Sequence, residues 1–253
     1  MTNVVAIIQS RQGSSRLPGK ALKPLYKNKG ALALMLERIT PSKRINQFIV
    51  ATTQCPEDDA IEALCKTLNT ACFRGSESDV LDRYYQAALA FNATHVVRLT
   101  GDCPIQDYQV IDDLVGAFFK TELDYLANAI KPTYPDGFDA EIFTLKTLET
   151  LHQEASKPSD REHVTPFVHR HPEQFKFQNF PYKTDVSQLR LTLDTPEDFQ
   201  LLTELCPFIF GNEKYIHLDE ILNYLSQNPH LLEINHSQQR NEGYLKSLKN
   251  DLK

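Results

Sequence analysis

The feature that most constrains this chain is an alternation running through its first hundred residues. Short apolar runs, rich in β-branched and aromatic residues, fall at Val4 to Gln9, Phe48 to Thr52, Ala71 to Phe73 and His95 to Thr100. Such runs suit strands buried on both faces. Between them lie three helical segments, Ala31 to Ile39, Glu57 to Leu68 and Asp79 to Phe91; the second places Ile61, Leu64, Cys65 and Leu68 at helical spacing. Ser76 or Ser78 is a suitable cap for the third. A βαβαβαβ order has few solutions, because parallel strands need crossovers and the crossover helices cover the faces of the sheet. The expectation is an α/β fold, doubly wound around a mainly parallel central sheet.

Open α/β sheets bind ligands beyond the carboxyl ends of their strands. The first strand runs directly into Ser10-Arg11-Gln12-Gly13-Ser14-Ser15-Arg16-Leu17-Pro18-Gly19-Lys20. Gly13, Ser14 and Ser15 let the backbone approach a ligand and offer N–H and hydroxyl donors. Arg11, Arg16 and Lys20 carry charge suited to a polyphosphate. The loop fits neither the Walker A pattern nor the Gly-x-Gly-x-x-Gly dinucleotide pattern. A solvated basic surface loop is the alternative; the position after a buried strand favours phosphate.

Thr100-Gly101-Asp102 follows the fourth run and therefore lies on the same sheet edge. Asp102 reads either as a ligand of a hard divalent cation or as the cap of a local turn. Asp194 precedes the helix start Thr195-Pro196 and is its natural N-cap, yet from a strand end it can share a metal with Asp102. Two carboxylates from distant segments are the usual protein share of a Mg²⁺ site that also holds phosphates. Glu197 and Asp198 favour the helix N-terminus. Gly75 and Ser76 suit contacts to a base or ribose, whereas Arg74 and Arg83 read as ion-pair partners of Asp79 or Asp82. The stretches 134–141 and 159–163 suit a hydroxylated, anionic small molecule: Tyr134, Asp139, Glu141 and His163 as polar contacts, Arg161 as a bidentate carboxylate clamp. A solvated helix start and a satisfied surface histidine are the alternatives for the second stretch.

Further on, helices are expected over Val110 to Phe119, Leu145 to Glu154, Arg161 to His169 despite Pro166, and Leu218 to Leu225. Extended segments are expected at Asp124 to Ala127, Ala140 to Phe143, Phe175 to Phe180 and Leu189 to Leu193, with a loop over 130–139. Residues 1–234 read as one domain, with 235–253 as a polar tail or edge cover. A length of 253 residues suits this. The net charge of −6 argues against nucleic acid as a partner. No run of ~18 apolar residues suggests a membrane span. No basic-then-apolar leader is visible, and the five cysteines form no Cys-x-x-Cys pair, so the expected location is cytoplasmic.

The loop Arg11-x-Gly-Ser-x-Arg-Leu-Pro-Gly-Lys20 resembles the signature loop of the nucleotidyltransferases that make CMP-sugars, in the SpsF-type branch. The resemblance extends through Arg-Gly-Ser-x-x-Asp-Val-Leu at 74–81, Thr-Gly-Asp-Cys-Pro at 100–104 and Tyr-Pro-x-Gly-x-Asp-x-Glu at 134–141. It continues with Arg-Glu-His-Val-Thr at 161–165 and Leu-Arg-Leu-Thr-x-Asp-Thr-Pro-Glu-Asp-Phe at 189–199. It implies a Rossmann-like nucleotidyltransferase fold, usually dimeric, with acceptor and dimerisation elements within 128–182. It also implies transfer of CMP from CTP to a sugar acid such as a 3-deoxy-2-ulosonic acid, in surface polysaccharide biosynthesis. In that reading Ser10, Arg11, Gly13, Ser14, Arg16, Lys20, Gly75, Ser76 and Thr100 bind the nucleotide. Arg11, Arg16, Lys20 and Asp102 are catalytic, Asp102 and Asp194 hold Mg²⁺, and Tyr134, Asp139, Glu141, Arg161 and His163 hold the acceptor. A glycosyltransferase on a similar sheet is the rival, disfavoured by a cationic loop sized for a triphosphate. A non-catalytic protein of the same fold is a third reading.

Overall fold

β1 (Val4–Gln9) is the centre of the molecule, because its side chains alternate between two separate cores. Val4, Ala6 and Ile8 enter one apolar cluster, while Val5 and Ile7 enter another on the opposite face. A strand buried this way must be flanked by strands on both sides, and β1 pairs in parallel with both β4 (Gln47–Thr53) and β6 (His95–Thr100). The computed structural model describes residues 1–14, 16–238, 240 and 242–251, so Ser15 lies outside the described residues.

In chain order, a small hairpin of β2 (Pro24–Tyr26) and β3 (Lys29–Gly30) leads into α1 (Ala31–Ile39). β4 (Gln47–Thr53), α2 (Asp59–Thr67), β5 (Ala71–Gly75), α3 (Val80–Ala90) and β6 (His95–Thr100) complete the expected alternation. Next come α4 (Tyr108–Phe118), β7 (Tyr125–Ala127), β8 (Glu141–Thr144) and α5 (Leu145–Glu154). The last elements are α6 (Pro158–His163), α7 (Pro166–Arg170), β9 (Phe177–Asn179), α8 (Pro196–Phe210), α9 (Leu218–Gln227) and α10 (Glu242–Asn250). The sheet order is β5-β4-β1-β6-β8-β7-β9, and β8 pairs antiparallel with both its neighbours. The chain runs outward from β1 through β4 and β5, then returns to the other side of β1 as β6. That reversal makes the paired carboxyl ends of β1 and β6 a topological switch point, and a crevice opens beyond them. No helix among the described residues is long and apolar enough to cross a membrane.

Several local expectations give way to tertiary contacts. α3 is capped by Asp79, whose carboxylate accepts from the Asp82 N–H at 2.9 Å, while Ser76 accepts from the Asp79 N–H. The single helix expected over 161–169 is two short ones, broken at Val164, where φ is +73°. The run 189–193 forms no ladder: the N–H of Leu191 goes to the Asp136 carbonyl (2.7 Å) and that of Leu193 to the Asp102 carbonyl (2.8 Å). α8 is capped by Thr195 rather than Asp194, in a reciprocal box with Asp198, and Pro196 takes its first turn. The segment expected as a polar tail contains α10, which packs on α6.

Gly137 shows how tightly the 134–141 loop rides on the 189–193 segment. Its φ is +103°, and a Cβ there would sit 2.5 Å from the Leu191 carbonyl oxygen. Both the strained φ and the backbone clash oppose any side chain. Gly137→Ala is therefore expected to destabilise the fold by more than about 1 kcal/mol. Urea unfolding with an unchanged m-value checks this; an unshifted midpoint would show that the two segments separate freely.

Candidate active site

The crevice between the β1 and β6 ends is a cleft of about 490 Å³. Its floor exists because Gly101 lacks a side chain: a Cβ there would meet Ser10 Oγ and Cβ at 2.9 Å and the Gln9 carbonyl at 3.0 Å. The Gly101 N–H instead donates to that carbonyl at 2.8 Å, drawing the two strand ends together. The loop 10–20 is fastened at two points. Leu17 is buried in the cluster beneath α8, and the Gln12 N–H donates to Asp58 at 2.8 Å. Gly19 (φ +70°) turns the chain so that Lys20 enters the crevice.

Lys20 sits between two carboxylates, with Nζ 2.8 Å from Asp102 Oδ2 and 2.7 Å from Asp194 Oδ1. Burial pushes the Asp102 carboxyl up, but the Lys20 ammonium more than reverses this and holds it at about 2. Burial likewise pulls the Lys20 amine down, and the two carboxylates raise it above its ordinary value. Asp194 also meets Arg16 Nη2 and Arg190 Nη2, each at 3.0 Å. Arg190 in turn contacts Asp136 at 2.8 Å and the fully buried Asp198 through Nε and Nη2, both at 2.9 Å. Asp198 is thus no mere helix-dipole residue. It accepts the Asp194 and Thr195 N–H groups as well, which turns the Asp194 side chain out of the capping position and into the cleft.

Ser10, Arg11, Gly13, Ser14, Arg16, Lys20, Thr100, Asp102, Asp194 and His163 all line the cleft. His163 meets Ser247 Oγ at 3.0 Å, and burial together with the charge of Arg98 lowers its imidazole below the ordinary value. Other expected contacts lie elsewhere, each committed to the fold. Gly75 and Ser76 stand behind α3, with the Ser76 carbonyl accepting from Arg83 Nη1 at 2.6 Å. Tyr134 is buried in the cluster beneath α8, stacked near Phe180. Asp139 pairs with Arg240, and Glu141 with Arg98 across β8 and β6. Arg161 is no free clamp: Nε makes two 3.0 Å contacts with Asp79, and Nη1 donates to the His152 carbonyl at 2.9 Å. Arg74 does pair with acids, though with Asp59 and Glu62.

Residues missed in the sequence reading also line the cleft: Val80 and Arg83 from α3, Glu162 from α6, and Gly243 and Ser247 from α10. Arg83 had a readable signal, since it stands at the i+3 position from Val80 on the buried face of α3. The α10 residues had none. Ser247 Oγ lies 2.6 Å from Glu162, and Glu242 pairs with Arg16 at 2.8 Å, so α10 forms one wall.

Asp102 and Asp194 are hard oxygen donors that already converge on one cation, and they fit a divalent ion of the Mg²⁺ kind. Among the described residues no cluster of three His, Cys, Asp or Glu side chains could hold a metal, so such an ion would draw its remaining ligands from water or substrate.

Residues 5–240 match the Cytidylyltransferase family. The chain is 33% identical over 238 residues to the spore coat polysaccharide biosynthesis protein SpsF of Bacillus subtilis, covering 90% of this chain and 96% of that one. It is 26% identical over 225 residues to the 3-deoxy-manno-octulosonate cytidylyltransferase of Chlamydia trachomatis, covering 85% of each. Among solved structures, a cytidylyltransferase from Leptospira borgpetersenii superposes with a TM-score of 0.88 at 36% identity, covering 95% of this chain and 99% of that one.

Two outcomes follow from the charge arrangement. Arg161→Ala should cost about 1–3 kcal/mol of stability, because it strips Asp79 of its charged donor and frees α6 from α3. Equal urea midpoints for variant and wild type would sink that assignment. In the wild type, Asp102 stabilises the fold above its unfolded value near pH 4, and this is lost as pH falls towards 2. Lys20→Met leaves the Asp102 carboxyl with burial as its main influence, so its folded value rises above the unfolded one. The variant should then match wild type best near pH 2, where Asp102 is protonated in both, and fall about 1–3 kcal/mol behind as pH rises to 7, with Mg²⁺ restoring part of the loss. A deficit independent of both pH and Mg²⁺ would show that Lys20 does not neutralise this pair.

Proposed function

Because this chain belongs to the cytidylyltransferase family and is a nucleotidyltransferase, we propose that it transfers CMP from CTP to a hydroxyl of a sugar acid and releases pyrophosphate. The observation that carries the reading is the cleft at the β1–β6 switch point, where one loop brings in three cations and two acidic residues meet one of them. A 3-deoxy-2-ulosonic or nonulosonic acid is the proposed acceptor, in surface polysaccharide biosynthesis. The names of the SpsF and 3-deoxy-manno-octulosonate relatives support that choice.

The acceptor hydroxyl gives up its proton to water as its oxygen attacks the α-phosphorus, the bond from that phosphorus to the α–β bridging oxygen breaks, and pyrophosphate leaves in line. Such a transfer needs positioning and charge neutralisation more than covalent help. Arg11 and Arg16 hold the triphosphate, and Ser10, Gly13, Ser14 and Thr100 offer backbone and hydroxyl groups beside it. The Lys20 ammonium stabilises charge developing on the leaving group. Asp102 and Asp194 would hold Mg²⁺, which when bound neutralises phosphate charge. Glu162 and the neutral imidazole of His163 face the cleft from α6 and are placed for acceptor hydroxyls.

Pyrophosphate release should therefore require CTP together with an ulosonic acid. Asp102→Asn and Asp194→Asn should remain folded and lose at least about a hundredfold in turnover. Release from another NTP alone, or near-normal turnover of both variants in limiting Mg²⁺, would overturn the reading.

A further inference from the structure

Arg83 is 2% exposed, and it lines the nucleotide cleft. A buried cation ordinarily has a carboxylate or a full set of carbonyl acceptors. Arg83 has neither: among the described residues no carboxylate lies within 4.0 Å, Nη1 donates to the Ser76 carbonyl at 2.6 Å, and the buried Nε has no partner. The acids on adjoining elements are taken. Asp79 is held by Arg161, and Asp58 accepts from Gln12 N, Thr53 N and Thr53 Oγ1.

Arg38 shows what a structural buried arginine looks like in the same molecule. It is 3% exposed, its Nε and Nη2 donate to the carbonyls of Ile105, Gln106 and Ile216 at 2.9–3.1 Å, and its guanidinium lies 4.4 Å from the Tyr215 ring centroid. It does not border the cleft. Arg83 does line the cleft, and it is left under-satisfied.

Two neighbours sharpen this. Arg11, exposed on the loop, makes no hydrogen bond or ion pair among the described residues and borders the same cleft. Burial first, and then the charge of Arg11, lower the Arg83 guanidinium below its ordinary value, so the pair repel until an anion arrives. Gly75 provides the slot: a Cβ there would come within 3.0 Å of Arg83 Cγ and of the Phe73 ring. Its missing side chain serves the arginine stem rather than a base.

We propose that Arg83 binds an anionic oxygen group in this cleft and, together with Arg11, holds a phosphate of the nucleotide. The identity of that ligand rests on the cytidylyl-transfer reading; the anion site does not. Arg83 is a binding residue kept at a cost to stability, and that combination separates it from a structural arginine.

The test uses calorimetric titration of inorganic pyrophosphate and of CTP into wild type, Arg83→Met and Arg83→Lys, with thermal unfolding of each ligand-free protein. Arg83→Met should unfold at the wild-type temperature or above it, since an uncompensated buried charge is removed. It should bind pyrophosphate and CTP about ten- to a hundredfold more weakly, and Arg83→Lys should recover part of the loss. Unchanged pyrophosphate and CTP affinity in Arg83→Met would overturn the proposal. So would a loss confined to the acceptor KM, or failure of both variants to fold. A wild type that binds pyrophosphate but makes no use of CTP would instead defeat the functional reading, with the Arg83 comparison still decided by pyrophosphate.

Discussion

The contact on which the rest of the site depends is the ammonium of Lys20 held between Asp102 and Asp194. These residues come from three distant segments: a loop after β1, a turn after β6 and the entry to α8. Without the Lys20 ammonium, burial would push the Asp102 carboxyl up. With it, the Asp102 carboxyl is driven down to about 2. The loop 10–20 is thereby placed by electrostatics at its far end as well as by Leu17 and Asp58 at its near end.

Around that contact the acids are spread over several cations. Asp194 serves Lys20, Arg16 and Arg190, while Asp198 takes Arg190 and two backbone N–H groups. This division of labour lets Asp194 face the cleft although it directly precedes a helix. A capping box made by Thr195 and Asp198 satisfies the helix end, so Asp194 is released for other work.

The wall formed by α6 and α10 is built by a different rule. α6 is pinned to α3 through Arg161 and Asp79 and covered by α10 through Ser247 and Glu162. Arg240 fastens the approach to α10 by pairing with Asp139. The cleft wall is therefore a set of polar contacts between the end of the chain and two much earlier segments.

The sequence by itself determined the strands β1, β4, β5 and β6, because their apolar runs have no other way to leave water, and the alternation with helices forces a parallel sheet. It also placed Arg11, Arg16, Lys20, Thr100 and Asp102 at one edge, since each ends a strand or lies on the loop or turn that leaves it. The helices Ala31–Ile39 and Leu145–Glu154 were legible to the residue from periodicity. Only the tertiary structure decided which polar residues were free. Arg161, Asp139 and Glu141 look like ligand contacts in a one-dimensional reading, yet each is consumed by an oppositely charged partner 40 or more positions away. Arg83 looks like a surface ion pair and is buried without one. Residues 189–193 alternate like a strand but spend their N–H groups on two loops. Pairing between charges depends on distance in space, which local patterning does not encode, whereas burial of an apolar run depends on the run itself.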